Sequence, residues 1–256
     1  MDFSDLEVET LEHSTLDAVV PKSVTEFGGW LLPFDQTTIG RAKSAVPLRH
    51  HNIDDCTIAD VEALYAQEGL EAQFRVADVA GLGNLHSVLK ERGYCAEQST
   101  LVQIGSAKSM LNLASSESVV LQMLPTPAWA AVYSATGFDP ADGAHRVAAL
   151  SRGKNAVFAQ IYDDGQPAAA GVGNFSHGWA SVHGMRTVTG YRNRGFAQCI
   201  LTALAKEAGA RRLERFFLQV EVGNEAALAL YRRAGFSTAW GYHYWRKPSQ
   251  NQTPGW

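Results

Sequence analysis

Apolar positions recur at three- and four-residue spacing in some stretches of the chain and alternate or cluster in others, and that contrast lays out the elements. Residues 1–23 are polar and acidic with a weak helical pattern, which predicts a surface arm or a short helix. The run Gly28-Gly29-Trp30-Leu31-Leu32-Pro33-Phe34 predicts a strand, residues 35–38 a turn and 39–48 a partner strand. In 57–69, Thr57 can cap a helix whose Ile58, Val61, Leu64 and Tyr65 share one side. Residues 73–79 predict a strand, 85–92 a helix ended by Gly93, and 99–104 another strand. The Ser-, Ala- and Asn-rich stretch 106–117 predicts a linker.

Beyond it, 119–124 predicts a strand, 128–135 and 143–151 helical pieces, and 156–162 with 167–174 a hairpin turning at Asp164-Gly165. Residues 179–188 predict the next strand. Ala197, Leu201, Leu204, Ala205 and Ala208 then recur at helical spacing, with Gly209 as a stop. Residues 216–222 read as a buried strand. Asn224 can cap a second helix with Ala227, Leu230, Tyr231 and Ala234 on one face and Gly235 just past its end. A strand at 242–247 and a polar tail, 248–256, complete the pattern.

One arrangement occurs twice. Leu85, Leu89 and Arg92-Gly93-Tyr94 parallel Ala227, Tyr231 and Ala234-Gly235-Phe236. Residues 24–105 are then either a worn copy of the fold of 118–247 or an unrelated α+β domain. As a copy, that segment has Leu89 where Tyr231 stands.

The 256 residues suit two small domains, and an apolar content of 46% supports a sizeable core. A net charge of −4 argues against nucleic acid as a partner. Cys56, Cys95 and Cys199 are scattered without metal-ligand spacing, and read as reduced thiols of a cytoplasmic protein. The acidic N-terminus lacks the pattern of a signal peptide, and no apolar run is long enough to span a membrane.

The chemistry concentrates in 185–236. Gly195 stands where a strand must turn into a helix, and glycine permits both the turn and close approach of a ligand. The helix behind it begins with unpaired N–H groups and the positive end of its dipole, and Arg192 and Arg194 flank the turn. A phosphate-bearing ligand fits there; a solvated basic turn would use the same residues.

Arg192-Asn193-Arg194-Gly195-Phe196-Ala197, followed by Val220, Asn224, Leu230-Tyr231 and Gly235-Phe236, resembles the signature of the GNAT acyl-CoA N-acyltransferases over residues 118–247. The resemblance implies an α/β (α+β) fold of two GNAT-like domains, each a mixed, mostly antiparallel sheet flanked by helices. A degenerate one would occupy 24–105 behind an arm at 1–23, and a catalytic one 118–247. It implies transfer of an acetyl group from acetyl-CoA to a primary amine of a small molecule, by direct attack in a ternary complex. Main-chain N–H groups of Asn193, Arg194, Gly195, Phe196 and Ala197 would hold the pyrophosphate, with Arg192 and Arg194 adding fixed positive charge. Met185, Arg186 and Thr187 would pair with the pantetheine arm and supply the oxyanion donor. Asn224 would bond the pantetheine, cap its helix, or both. Tyr231 would protonate the leaving thiolate, unless it is only a core aromatic.

For the amine proton the family offers no fixed residue; Glu221, His183 and a water chain are the candidates. Alternate members of Trp240, Tyr242, Tyr244 and Trp245 could face the acceptor, with Trp30 and Phe34 as a far wall. A protein acetyltransferase acting on a lysine or N-terminus, and a non-catalytic acyl-CoA sensor, remain as alternatives. A homodimer is compatible with the sequence.

Overall fold

The computed structural model describes residues 3–54, 57–113 and 117–248; Cys56 and nearly all of the predicted tail lie outside them. In chain order the elements are helix α1 (Asp5–Ala18), strands β1 (Ser23–Phe27), β2 (Trp30–Phe34) and β3 (Val46–Pro47), α2 (Thr57–Gln67), β4 (Phe74–Ala77), α3 (Gly83–Glu91), β5 (Cys95–Ser106) and α4 (Ala107–Leu111). Then come β6 (Val120–Gln122), α5 (Pro127–Ala131), α6 (Pro140–Leu150), β7 (Ala156–Asp163), β8 (Gln166–Ser176), β9 (Trp179–Thr187), α7 (Phe196–Ala210), β10 (Arg215–Glu221), α8 (Glu225–Arg233) and β11 (Ser237–Arg246). Eight strands form one sheet in the order β4-β11-β5-β10-β9-β8-β7-β6, and β1-β2-β3 form a small second sheet. Within the large sheet only β9 and β10 run parallel.

That order interleaves the two halves of the chain. β5 lies between β10 and β11, and β11 lies between β4 and β5. The likeness between residues 85–94 and 227–236 extends to the backbone. Gly93 and Gly235 have φ of +85° and +82°, and the Tyr94 and Phe236 N–H groups donate to the carbonyls of Leu89 and Tyr231 at 3.0 and 2.9 Å. Both helices thus end in a glycine cap that returns the chain into a strand. A parallel contact also recurs, as the Ala45–Phe74 bridge in the first half and the β9–β10 pair in the second. The first half repeats the plan of the second in reduced form.

Three expectations change. Residues 5–18 form no surface arm: α1 opens with a Ser4–Glu7 capping box and buries Val8, Leu11, Glu12, Thr15 and Ala18. Its periodicity is faint in sequence because the buried face is partly polar. Glu12 meets the buried Arg75, and Thr15 accepts a hydrogen bond from Gln219 at 3.0 Å. Gly28-Gly29 is a hairpin turn with both φ positive, so the strand predicted from Gly28 starts at Trp30 and a further strand, β1, precedes it. The stretch 106–117 includes α4, capped by Ser106 and burying Met110. Among the described residues no helix is long and apolar enough to cross a membrane.

Two cores result. α7 packs Ile200, Leu201 and Leu204 against Val182, Phe216, Leu218 and Val220 on one face of the large sheet. Trp30, Tyr65, Phe74 and Phe217 fill the other.

Candidate active site

Strands β9 and β10 separate where their pairing stops, at Val182 and Leu218. The pairing of β9 with β8 passes from His183–Val172 to Arg186–Ala170, so Gly184 and Met185 oppose Gly171 alone. This bulge bends β9 away from β10 and leaves its edge without a partner strand. Glycine is required at its first position: Gly184 has φ +61°, and a Cβ there would lie 2.6 Å from Leu150 Cδ1 and 2.8 Å from the Tyr133 hydroxyl. That hydroxyl donates to the Gly184 carbonyl at 2.7 Å.

A cavity of about 310 Å³ opens at the divergence. Of the residues singled out in sequence, His183, Met185, Arg186, Glu221, Asn224 and Tyr231 line it. Tyr231 sits on α8 with 7% of its surface exposed and its ring edge-on to Phe236. Its hydroxyl has no hydrogen-bond partner among the described residues. Burial pushes this phenol up to about 12, against a smaller opposing effect of the Arg41 charge, so it is protonated at neutral pH. A free phenol titrates near 10; the closed surroundings make this one a weaker acid.

His183 is buried and its tautomer follows from its neighbours. Ser181 Oγ donates to the Asn174 carbonyl at 3.3 Å, so it accepts from His183 Nε2–H at 2.8 Å. Nδ1 then carries the lone pair, and it has no partner. Desolvation holds the ring well below the usual imidazole range, and the Arg41 charge adds to this, so His183 is neutral. Glu221 is exposed at the rim, where Gln98 Nε2 donates to it at 2.7 Å. Asn224 caps α8, its side chain accepting from the Ala227 N–H at 3.1 Å.

The turn before α7 is exposed, with Asn193 at φ +63° and Gly195 at +79°. Phe196 turns into the core, so main chain faces outward at Gly195 and the first turn of the helix, and a Cβ on Gly195 would meet only open space. Such a concave backbone suits an anion. Arg194 is not free to serve it by side chain: both guanidinium nitrogens bind Asp163, at 2.8 and 2.6 Å. Arg192 is exposed, its Nε 3.5 Å from the Thr187 carbonyl. Arg186 also points elsewhere, to the Tyr133 carbonyl at 2.8 Å and Asp142 at 2.5 Å.

Trp30 and Phe34, read as a far wall, are packed into the core. The wall is instead the loop 38–41 that follows β2, together with Tyr242 and Tyr244 of β11; Trp240 and Trp245 do not line the cavity. No motif in sequence marks that loop. Asp142 on α6 holds it, accepting from Thr38 Oγ1 at 2.9 Å, Arg146 at 2.7 Å and Arg186. Burial alone would raise the Asp142 carboxyl, but hydrogen bonds from Arg146, Thr38 and Arg186, with the Arg146 charge, bring it down to about 2. A folded value below the unfolded one means a stabilisation present above about pH 4 and lost as pH falls towards 2. Asp142→Asn is therefore expected to lower stability by about 1–3 kcal/mol at pH 7 and to flatten the acid limb of the stability profile. Denaturant unfolding at pH 7 and pH 3 measures both.

A family described as "Probable histone acetyltransferase Rv0428c C-terminal" matches residues 6–245. The chain belongs to this family. Among solved structures it is similar to a GCN5-related N-acetyltransferase from Kribbella flavida, at 15% identity and TM-score 0.71, over 96% of this chain and 97% of that one. A tandem GNAT protein from the clavulanic acid biosynthesis pathway matches at 13% identity and TM-score 0.64, over 93% and 94% of the two chains. A putative GNAT acetyltransferase from Novosphingobium aromaticivorans matches at 19% and 0.56, over 94% and 99%. None of the curated proteins matches. The fold is that of the GNAT superfamily, with two GNAT-like halves, and membership of the matched family makes the protein an acyltransferase in the broad sense.

Proposed function

We propose that the protein transfers an acetyl group from acetyl-CoA to the amine of a small molecule. One observation carries this reading: the phenol of Tyr231, with no hydrogen-bond partner among the described residues, lines the cavity that opens where the bulged β9 leaves β10. The surroundings fit acyl-CoA. The diphosphate would meet main-chain N–H groups between Asn193 and Ala197, with the exposed Arg192 as a nearby cation. The pantetheine amides would pair with the β10-facing edge of β9 at Met185–Thr187, beyond the last β9–β10 pair at Val182 and Leu218. Bound there, the co-substrate supplies a thioester.

The chain's own groups then have distinct tasks. A main-chain N–H at the Met185 bulge would face the developing oxyanion. Tyr231 would hold the proton that the leaving sulfur needs; the burial that weakens it as an acid acts in the same direction on a thiol beside it. Neutral His183 lines the cavity, but its Nδ1 is shut away from solvent. With its basicity also depressed, Glu221 at the rim is the better acceptor of the amine's proton.

Thiol release measured across an amine panel tests the proposal: release with particular amines supports it, and acetyl-CoA binding with no release indicates a sensor. The family description favours a second reading, acetylation of protein lysines. A cavity of about 310 Å³ walled by loop 38–41 suits a small amine better. Turnover of peptides but not of free amines would reverse that preference.

A further inference from the structure

Three arginines line the cavity, and two of them are matched. Arg146 and Arg186 both face Asp142, at 2.7 and 2.5 Å. Arg41 is half-buried and, among the described residues, has neither an ion pair nor a hydrogen bond. Its charge nevertheless reaches His183, Tyr231 and Tyr242. A half-buried guanidinium without a counter-charge is costly unless a ligand provides one.

The loop that carries Arg41 is fixed in place. Ile39 is buried, the Thr38 N–H donates to His145 Nδ1 at 3.2 Å, and Thr38 Oγ1 is bound by Asp142. Gly40 lies so close to Tyr244 that a Cβ would stand 2.5 Å from its Cε1. The guanidinium is thus carried by a pre-organised segment rather than a mobile one.

Resting on the acetyltransferase reading, we propose that Arg41 receives a carboxylate of the acceptor, which makes the acceptor a small amine bearing one carboxylate: an amino acid or a close derivative. Glu221 lines the same cavity and suits the ammonium end. One unmatched cation balances one carboxylate; a phosphate dianion would call for a second, and Arg146 and Arg186 are already held by Asp142. The CoA phosphates are not its partner. Val182, Phe216, Leu218 and Val220 face α7, so strand alternation puts His183, Gln219 and Glu221, with Arg41 beside them, on the other face of the sheet.

The test uses matched pairs of amines: lysine against cadaverine, ornithine against putrescine, and phenylalanine against phenethylamine. In the wild-type protein the carboxylated member is expected to have the higher kcat/KM in at least one pair. Arg41→Gln is expected to reduce that preference about 10- to 100-fold, chiefly through KM of the carboxylated member. Arg41→Lys should retain part of it. A wild-type preference near unity in every pair overturns the proposal. So does an equal fall for both members in Arg41→Gln, which would assign Arg41 to Tyr231 instead. Should no amine release thiol although acetyl-CoA binds, the acetyltransferase reading itself fails. Calorimetric titration of the protein–CoA complex with lysine and cadaverine then decides the carboxylate claim: a preference for lysine that Arg41→Gln abolishes sustains it, and equal binding overturns it.

Discussion

Tyr231→Phe is expected to lower kcat about 10- to 100-fold while leaving the acetyl-CoA dissociation constant within about two-fold. The substitution isolates chemistry from folding. The hydroxyl has no hydrogen-bond partner among the described residues, and the ring keeps its edge-on contact with Phe236. Thermal stability should therefore change by little. Steady-state kinetics with calorimetry and a melting curve read all three quantities. An unchanged kcat would remove the phenol from the mechanism. Because burial holds this phenol up at about 12, its ionisation should not limit the rate below about pH 11. An alkaline fall in kcat near pH 9 that vanishes in Tyr231→Phe would show a far more acidic phenol than the fold provides.

Gly195→Val should weaken acetyl-CoA binding at least about 100-fold. Two effects combine. A φ of +79° is costly for any residue with a Cβ, about 1–2 kcal/mol and more for a β-branched one. The new side chain would also project into the open space over the turn, where a diphosphate must approach main chain. Gly195→Ala keeps the strain with less bulk and should lie between. Calorimetric titration of both variants, with melting curves, separates occlusion from unfolding; a folded Val variant that binds normally would place the diphosphate elsewhere.

What the sequence reveals depends on how local each feature is. Asn224, Tyr231, Gly235 and Phe236 declare a cap, a face and a stop within one helix, and the structure forms all of them. The Gly195 turn and α7 are legible for the same reason, although α7 runs past Gly209 to Ala210. α1 hides because its buried positions include Glu12 and Thr15, whose partners Arg75 and Gln219 are distant in sequence. The insertion of β5 between β10 and β11 leaves no local mark, since pairing partners are not written in a strand's own pattern. Arg194 resembles an anion ligand until Asp163, across the fold, is seen to hold it. Arg41 reaches the cavity only through a close approach of Gly40 to Tyr244 and the Asp142 tether, neither visible along the chain.

Strands β5 and β11, of 12 and 10 residues, are each woven between strands of the opposite half. A hinge that closed like a jaw would have to tear ladder hydrogen bonds along both. The divergence of β9 from β10 is consequently built into one continuous sheet, and an acceptor would meet a floor that both halves share. On the proposed reading, selection among amines would fall to bulk and charge at the walls, not to one half of the chain closing on the other.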